Sequence, residues 1–87
     1  MTEEVIVYRL EFCPNCELLK AYLDARGAAY AEEDLSSAEA LTELRVNGVF
    51  VNEAPVLRKG DMFLTSAELF AGGEIDGSAV DALLGGA

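Results

Sequence analysis

The chain has 87 residues, 52% of them apolar, which fits one compact domain over residues 1–87 and excludes two independent cores. Sixteen acidic residues against six basic ones give a formal net charge of -10, so the surface repels phosphate backbones and anionic lipid headgroups. The composition therefore argues against nucleic acid and membranes as partners.

The N-terminal residues contain two glutamates, Glu3 and Glu4, and lack the basic segment with which a signal peptide begins. No apolar run approaches the roughly 20 residues that a membrane-spanning helix needs. We therefore expect a cytoplasmic protein, and we expect it to be a monomer.

The first half of the chain predicts two strand-helix units. β-branched and aromatic residues between Val5 and Tyr8 are typical of a buried strand. Pro14 fixes a helical φ, apolar residues then recur at spacings of three and four, and Gly27 supplies a C-terminal cap. The predicted elements are a strand at Glu4–Leu10, a helix at residues 14–26, a strand at residues 28–35, and a helix from Ser36 or Ser37 to Gly48.

The second half predicts a hairpin and two helices. The apolar run from Val49 to Val51 is brief, and Asn52 ends it. Thr65 and Glu68 have the spacing of a capping box, which predicts a helix start near Ser66. The predicted elements are a β-hairpin of Val56–Leu57 with Met62–Leu64 around Gly60, a helix from Ser66 to Gly72–Gly73, and a short helix at Ser78–Leu84.

This element order, β-α-β-α-β-β-α, predicts an α/β fold with a four-stranded mixed sheet flanked by three or four helices. We expect each β-α-β crossover to be parallel and right-handed, and the turn at Gly60 to make the last strand pair antiparallel.

Cys13 and Cys16 are the only cysteines, and the chain has no histidine, which excludes histidine-dependent triads and intrachain histidine-metal sites. Pro14 disfavours helical torsions in the residue before it, so the helix begins after Cys13 and leaves that sulfur at the N-cap. The free amides of Asn15 and Cys16 and the helix dipole then favour the thiolate and lower the pKa of Cys13. We therefore predict that Cys13 is a nucleophile and that Cys16, one turn later, is a resolving thiol.

Charged residues near the two cysteines have opposite effects on the pKa of a thiol. Glu11 and Glu17 flank the cysteines and raise the pKa of a nearby thiol, whereas Lys20, one turn beyond Cys16, partly offsets them.

Other interpretations of the two thiols stay open. One chain supplies too few ligands for a tetrahedral zinc site, so no metal site is predicted within the chain. Two chains that share a metal ion or an iron-sulfur cluster would supply four thiolates. Two inert, buried thiols are the remaining alternative.

Three segments resemble a glutaredoxin-type member of the thioredoxin superfamily: the Val5–Tyr8 strand, the C-P-N-C unit that opens the first helix, and Ala54-Pro55-Val56 before the hairpin. The resemblance implies a thioredoxin-like (glutaredoxin) fold, a cis peptide bond before Pro55, attack by Cys13 and resolution by Cys16. It also implies a substrate groove lined by Phe12, Pro14, Asn15, Ala54, Pro55, Thr65 and Ser66.

The function that the resemblance implies is a thiol-disulfide oxidoreductase that reduces protein disulfides. Such a protein needs no cofactor besides its redox-active Cys13–Cys16 disulfide, and its partners are a disulfide-containing protein and an upstream reductase. Glutathione-using relatives usually carry a lysine three residues before the first cysteine and a Gly-Gly-x-x-acidic motif at the last helix. Leu10 and Thr65–Glu68 take those places here, and Gly72–Gly73 is interpreted as a helix cap. Glutathione is accordingly the alternative electron donor.

Overall fold

The structure is a computed structural model that describes residues 4–50 and 53–85, so the predicted apolar run from Val49 to Val51 and its end at Asn52 lie partly outside the described residues. The elements, in chain order, are β1 (Val5–Arg9), α1 (Pro14–Ala25), β2 (Ala31–Asp34), α2 (Ala38–Val46), β3 (Val56–Lys59), β4 (Met62–Leu64), α3 (Ser66–Leu69), β5 (Phe70–Ala71), β6 (Glu74–Ile75) and α4 (Gly77–Gly85). Over these residues, no helix has both the length and the apolar character needed to cross a membrane.

Four strands form one mixed sheet in the order β2-β1-β3-β4. β1 pairs with β2 in parallel, so Arg9 lies beside Asp34, and β3 pairs with β4 in an antiparallel hairpin. The predicted mixed α/β architecture with a four-stranded sheet and flanking helices is therefore confirmed.

The prediction that both crossovers are parallel is wrong for the second one. β3 runs antiparallel to β1, with Tyr8 beside Val56 and Val5 beside Lys59. The connection over residues 47–55 can extend to about 30 Å, whereas the nine residues of α2 rise only about 14 Å. A connection of this length can reach the end of the sheet where β1 stops. β3 starts at that end and therefore runs antiparallel to β1.

The two faces of the sheet carry separate apolar cores, as the alternation of side chains along a strand requires. Val7 and Leu57 point to the face that α1, α3 and α4 cover, and the buried residues of that core are Val5, Val7, Leu19, Leu23, Leu57, Leu69, Val80 and Leu83. Tyr8 and Val56 point to the other face, which α2 covers with Ala40 and Leu44.

Helix α1 ends as its sequence predicts. Gly27 has a φ of +69°, and its amide donates to the carbonyl of Asp24 at 3.0 Å. The amide of Ala28 donates to the carbonyl of Leu23 at 3.0 Å, which completes a Schellman motif.

The third helix is shorter than predicted. It ends at Leu69 after one turn, and Phe70 adopts an extended conformation with a φ of -126° and a ψ of 136°. Gly72 and Gly73 have φ values of +61° and +83°, which suit the two central positions of a tight hairpin turn. The glycine pair therefore joins strands β5 and β6, and its interpretation as a helix cap is wrong.

Helix α4 confirms the predicted C-terminal helix and is tied to α1 by a polar network. The hydroxyl of Tyr22 donates to Asp81 at 2.9 Å and accepts from the guanidinium of Arg26 at 2.7 Å. Arg26 also donates to Asp81 at 2.7 Å. This network holds α4 beside α1 on the same face of the sheet.

Candidate functional site

The two cysteines lie at the start of α1, next to the end of β1. Cys13 is the N-cap residue, with an extended φ of -112° and ψ of 98°, and Pro14 occupies the first helical turn, as predicted. The side chain of Cys13 is partly exposed, whereas Cys16 is only 1% exposed. The two form a disulfide with a Cα–Cα distance of 5.2 Å, so an accessible sulfur is joined to a buried one.

Two backbone groups lie against the sulfur of Cys13. The amide of Cys16 donates a hydrogen bond of 3.1 Å to Sγ, which is the N-cap interaction that the helix start requires. The carbonyl oxygen of Ala54 lies 3.8 Å from the same sulfur, although 41 residues separate the two in sequence. The Ala54–Pro55 peptide bond is cis, as the resemblance implies, and Pro55 is buried.

Phe12 has an unusual conformation immediately before Cys13. Its φ is +54°, the only positive φ of a non-glycine residue in the described ranges 4–50 and 53–85, and its side chain is 98% exposed. A left-handed conformation costs a residue with a Cβ about 1–2 kcal/mol, and burial of the ring does not offset this cost. Phe12 therefore presents an aromatic surface to solvent at the residue directly before Cys13.

The remaining predicted groove residues divide into two groups. Pro14 and Asn15 are exposed on the first turn of α1, next to Cys13. Thr65 has a local partner, because both its amide and its hydroxyl bond to the Glu68 carboxylate, at 3.1 and 3.0 Å. In the described part of the chain, no hydrogen bond links Thr65 or Ser66 to the cysteines. Direct contacts thus bring together Cys13, Cys16 and Ala54.

A chain of ion pairs runs from the first turn of α1 to β2. Lys20 lies 2.8 Å from Glu17 and 3.3 Å from Glu32, and Arg9 lies 2.9 Å from Glu32. The hydrogen bond from Lys20 to Glu17 is the main reason why the pKa of Lys20 lies above its ordinary value. The sequence indicates that Lys20 offsets a nearby carboxylate. It does not predict that Glu32 is a second partner of Lys20, because only the parallel pairing of β2 with β1 brings Glu32 close to α1.

The opposite face of the sheet holds a second polar cluster that the sequence does not reveal. Arg58 donates to the hydroxyl of Tyr8 at 3.2 Å and to Glu43 at 2.9 Å, and its guanidinium stacks on Phe63. A cavity of about 250 Å³ opens beside it and is lined by Ile6, Tyr8, Glu33, Glu39, Ala40, Glu43 and Arg58. Its residues come from β1, β2, α2 and β3, and none belongs to the C-P-N-C segment.

Comparison of the chain with known protein families, with curated proteins and with solved structures gave no match.

Proposed function

We propose that this protein is a thiol-disulfide oxidoreductase that reduces protein disulfides through Cys13 and Cys16. One observation carries the proposal: a partly exposed sulfur at a helix N-cap accepts an amide hydrogen bond and is bonded to a buried sulfur one turn later. A helix N-terminus stabilises the thiolate, which is the attacking species in disulfide exchange.

The reaction begins from the dithiol form. The Cys13 thiolate attacks one sulfur of the substrate disulfide, so a Cys13-substrate disulfide forms and one substrate thiolate leaves. Cys16 then loses its proton and attacks the Cys13 sulfur, which forms the Cys13–Cys16 disulfide and releases the second thiolate. Two electrons pass to the substrate, whose two sulfurs take up two protons. A dithiol reductase returns two electrons and two protons to the protein.

The architecture supports a thioredoxin-like (glutaredoxin) fold for this activity. The cysteines follow β1 in a parallel β1-α1-β2 unit, and the β3-β4 hairpin begins at Val56, two residues after Ala54. The carbonyl of Ala54 lies against the Cys13 sulfur, at the place where an extended substrate would pass the reacting atom. Backbone groups in such a position can pair with a substrate strand.

A single-turnover experiment with hydroxyethyl disulfide, which is small and uncharged, tests the proposal. The reduced protein should convert one disulfide into two molecules of mercaptoethanol and become the intramolecular disulfide. Cys16→Ser should stop at a stable adduct of one mercaptoethanol on Cys13, which intact-protein mass spectrometry detects. Cys13→Ser should form no such adduct within the same time. Equal adduct formation in the two variants would refute the assigned roles.

The electron donor and the cluster-binding alternative are tested separately. We expect a dithiol reductase to restore the reduced protein faster than glutathione does, and rapid turnover with glutathione and glutathione reductase would make the protein a glutathione-dependent glutaredoxin. Anaerobic purification should give a colourless protein. A brown protein with thiolate-to-iron charge-transfer bands would instead favour a dimer that shares a cluster.

A further inference from the structure

We propose that the surface around Cys13 selects disulfides carried on cationic polypeptide segments. This inference rests on the proposed function and adds the charge of the substrate to it. The surface, called the Cys13 face below, consists of Glu11, Phe12, Cys13, Glu53 and Ala54.

Two exposed glutamates belong to the two chain segments that meet at the Cys13 sulfur. Glu11 is in the turn that leads from β1 to Cys13, and Glu53 directly precedes Ala54, whose carbonyl oxygen is 3.8 Å from the Cys13 sulfur. Both glutamates are exposed, and neither forms an ion pair with another residue in ranges 4–50 and 53–85. The Cys13 face therefore carries two exposed carboxylates, one from each of the two segments that meet at the Cys13 sulfur.

Most basic residues of the chain bond to partners that are not part of the Cys13 face. The ion pairs are Arg9 with Glu32, Lys20 with Glu17 and Glu32, Arg26 with Asp81, and Arg58 with Glu43. Lys59 donates to the carbonyl of Leu84. With a formal net charge of -10, the long-range field has the same sign as the local charge at the Cys13 face, so both attract a cationic partner.

Phe12 supplies the apolar part of this surface. Its ring is 98% exposed beside Cys13, and the face of an aromatic ring attracts a lysine or arginine side chain. A cationic segment thus interacts favourably with both the carboxylates and the ring, whereas the anionic disulfide of glutathione interacts favourably with neither.

Small disulfides of different charge test this selection without a known protein partner. The probes are cystamine, which is cationic, and 3,3′-dithiodipropionate, which is anionic, and the measured quantity is the ratio of their second-order rate constants with the reduced protein. Glu11→Gln with Glu53→Gln should lower the cystamine-to-dithiodipropionate ratio by about tenfold at an ionic strength of about 0.1 M. High salt should lower the wild-type ratio in the same direction, because it screens exposed charges.

The matched control removes the same amount of charge from the opposite end of the sheet. Val5 pairs with Lys59 at the end of the sheet where β1 starts. Glu4 directly precedes Val5, and Asp61 lies in the turn that follows Lys59. At the same ionic strength of about 0.1 M the Debye length is about 10 Å, so charges at the opposite end of the sheet are largely screened from Cys13. Glu4→Gln with Asp61→Asn should therefore leave the ratio within about twofold of the wild type. An equal fall of the ratio in the two double variants would mean that only net charge matters, and it would overturn the role of Glu11 and Glu53. An unchanged ratio in both variants would overturn the selection itself.

The neutral hydroxyethyl disulfide separates the two proposals. If the wild-type protein does not reduce it, the proposed function fails. If the wild-type protein reduces it but the ratio of the charged probes does not depend on Glu11 and Glu53, only the charge selection fails.

Discussion

The Nζ atom of Lys20 lies 2.8 Å from a carboxylate oxygen of Glu17. The amide of Glu17 donates to the carbonyl of Cys13 at 3.2 Å, which is the first hydrogen bond of α1. Residues four apart lie on the same side of a helix, so Glu17 stands one turn above the N-cap sulfur. Lys20 therefore pairs with a carboxylate on the turn next to the N-cap, where an unpaired negative charge disfavours a thiolate.

Replacement of Lys20 by methionine tests this relationship. Lys20→Met should shift the pH dependence of Cys13 alkylation in the reduced protein to higher pH, because an unpaired Glu17 disfavours the thiolate. The rate of reaction with iodoacetamide, measured from pH 5 to pH 10, reports the shift. In a Glu17→Gln background the same substitution should have a smaller effect, and an undiminished shift there would contradict the assigned role of Glu17.

Phe12 gives a prediction about stability. Asparagine adopts the left-handed region more readily than phenylalanine, and the exposed ring contributes no burial. Phe12→Asn should therefore raise the free energy of unfolding by about 1 kcal/mol, as measured by urea denaturation. Phe50 is also exposed, at 77%, and is not among the residues of positive φ, so Phe50→Asn should change the stability by less than about 0.5 kcal/mol. A loss of stability in Phe12→Asn would show that the ring is packed.

Arg58 is expected to stabilise the α2 face of the sheet. Its side chain bonds to Tyr8, Glu43 and the carbonyl of Gly60, and it also covers Phe63. Arg58→Ala removes this packing together with the hydrogen bonds, and it should lower the free energy of unfolding by about 1–3 kcal/mol. The exposed Arg45, in the last turn of α2, is the matched control, and its alanine variant should stay within about 0.5 kcal/mol of the wild type.

Asp34 gives a pH dependence with a definite sign. The Asp34 carboxylate accepts a hydrogen bond of 2.6 Å from the hydroxyl of Ser36 and one of 2.8 Å from the amide of Ser36. These bonds hold the pKa of Asp34 below its ordinary value of 3.8. Because the folded-state pKa is the lower one, the stabilisation is complete above the ordinary pKa and is lost as the pH falls through the folded-state pKa.

Ser36→Ala removes the hydroxyl that makes the largest contribution to this shift. Its urea midpoint should fall below that of the wild type at pH 6, and the difference should shrink as the pH approaches 2. Ser78→Ala, on the exposed surface of α4, should show no such pH-dependent difference. A Ser36→Ala deficit that is constant from pH 6 to pH 2 would rule out the linkage.

The sequence predicts the features that depend on local signals. Pro14 and Gly27 mark the ends of α1 because one fixes a helical φ and the other adopts a positive φ, and both effects act within a few residues. The N-cap position of Cys13 follows from the same reasoning. The hairpin at Gly60 and the capping bond between Thr65 and Glu68 are local as well.

Features that depend on how distant segments meet are not predictable in this way. The direction of β3 follows from its pairing with β1, a strand distant in sequence, and the end of α3 depends on the competing hairpin turn at Gly72 and Gly73. The contact between Ala54 and the Cys13 sulfur joins positions 41 residues apart, and no local spacing predicts it. The ion pairs of Glu32 and the cluster around Arg58 arise only when the sheet forms.

Strand β2 lies at one rim of the four-stranded sheet and carries three consecutive carboxylates, Glu32, Glu33 and Asp34. An exposed rim strand is a template for fibril growth, and like charges on it oppose pairing with a second copy. The same acidic run that makes β2 a weak strand by propensity should thus also oppose aggregation through this edge at neutral pH. Acid conditions that protonate these side chains should remove the protection.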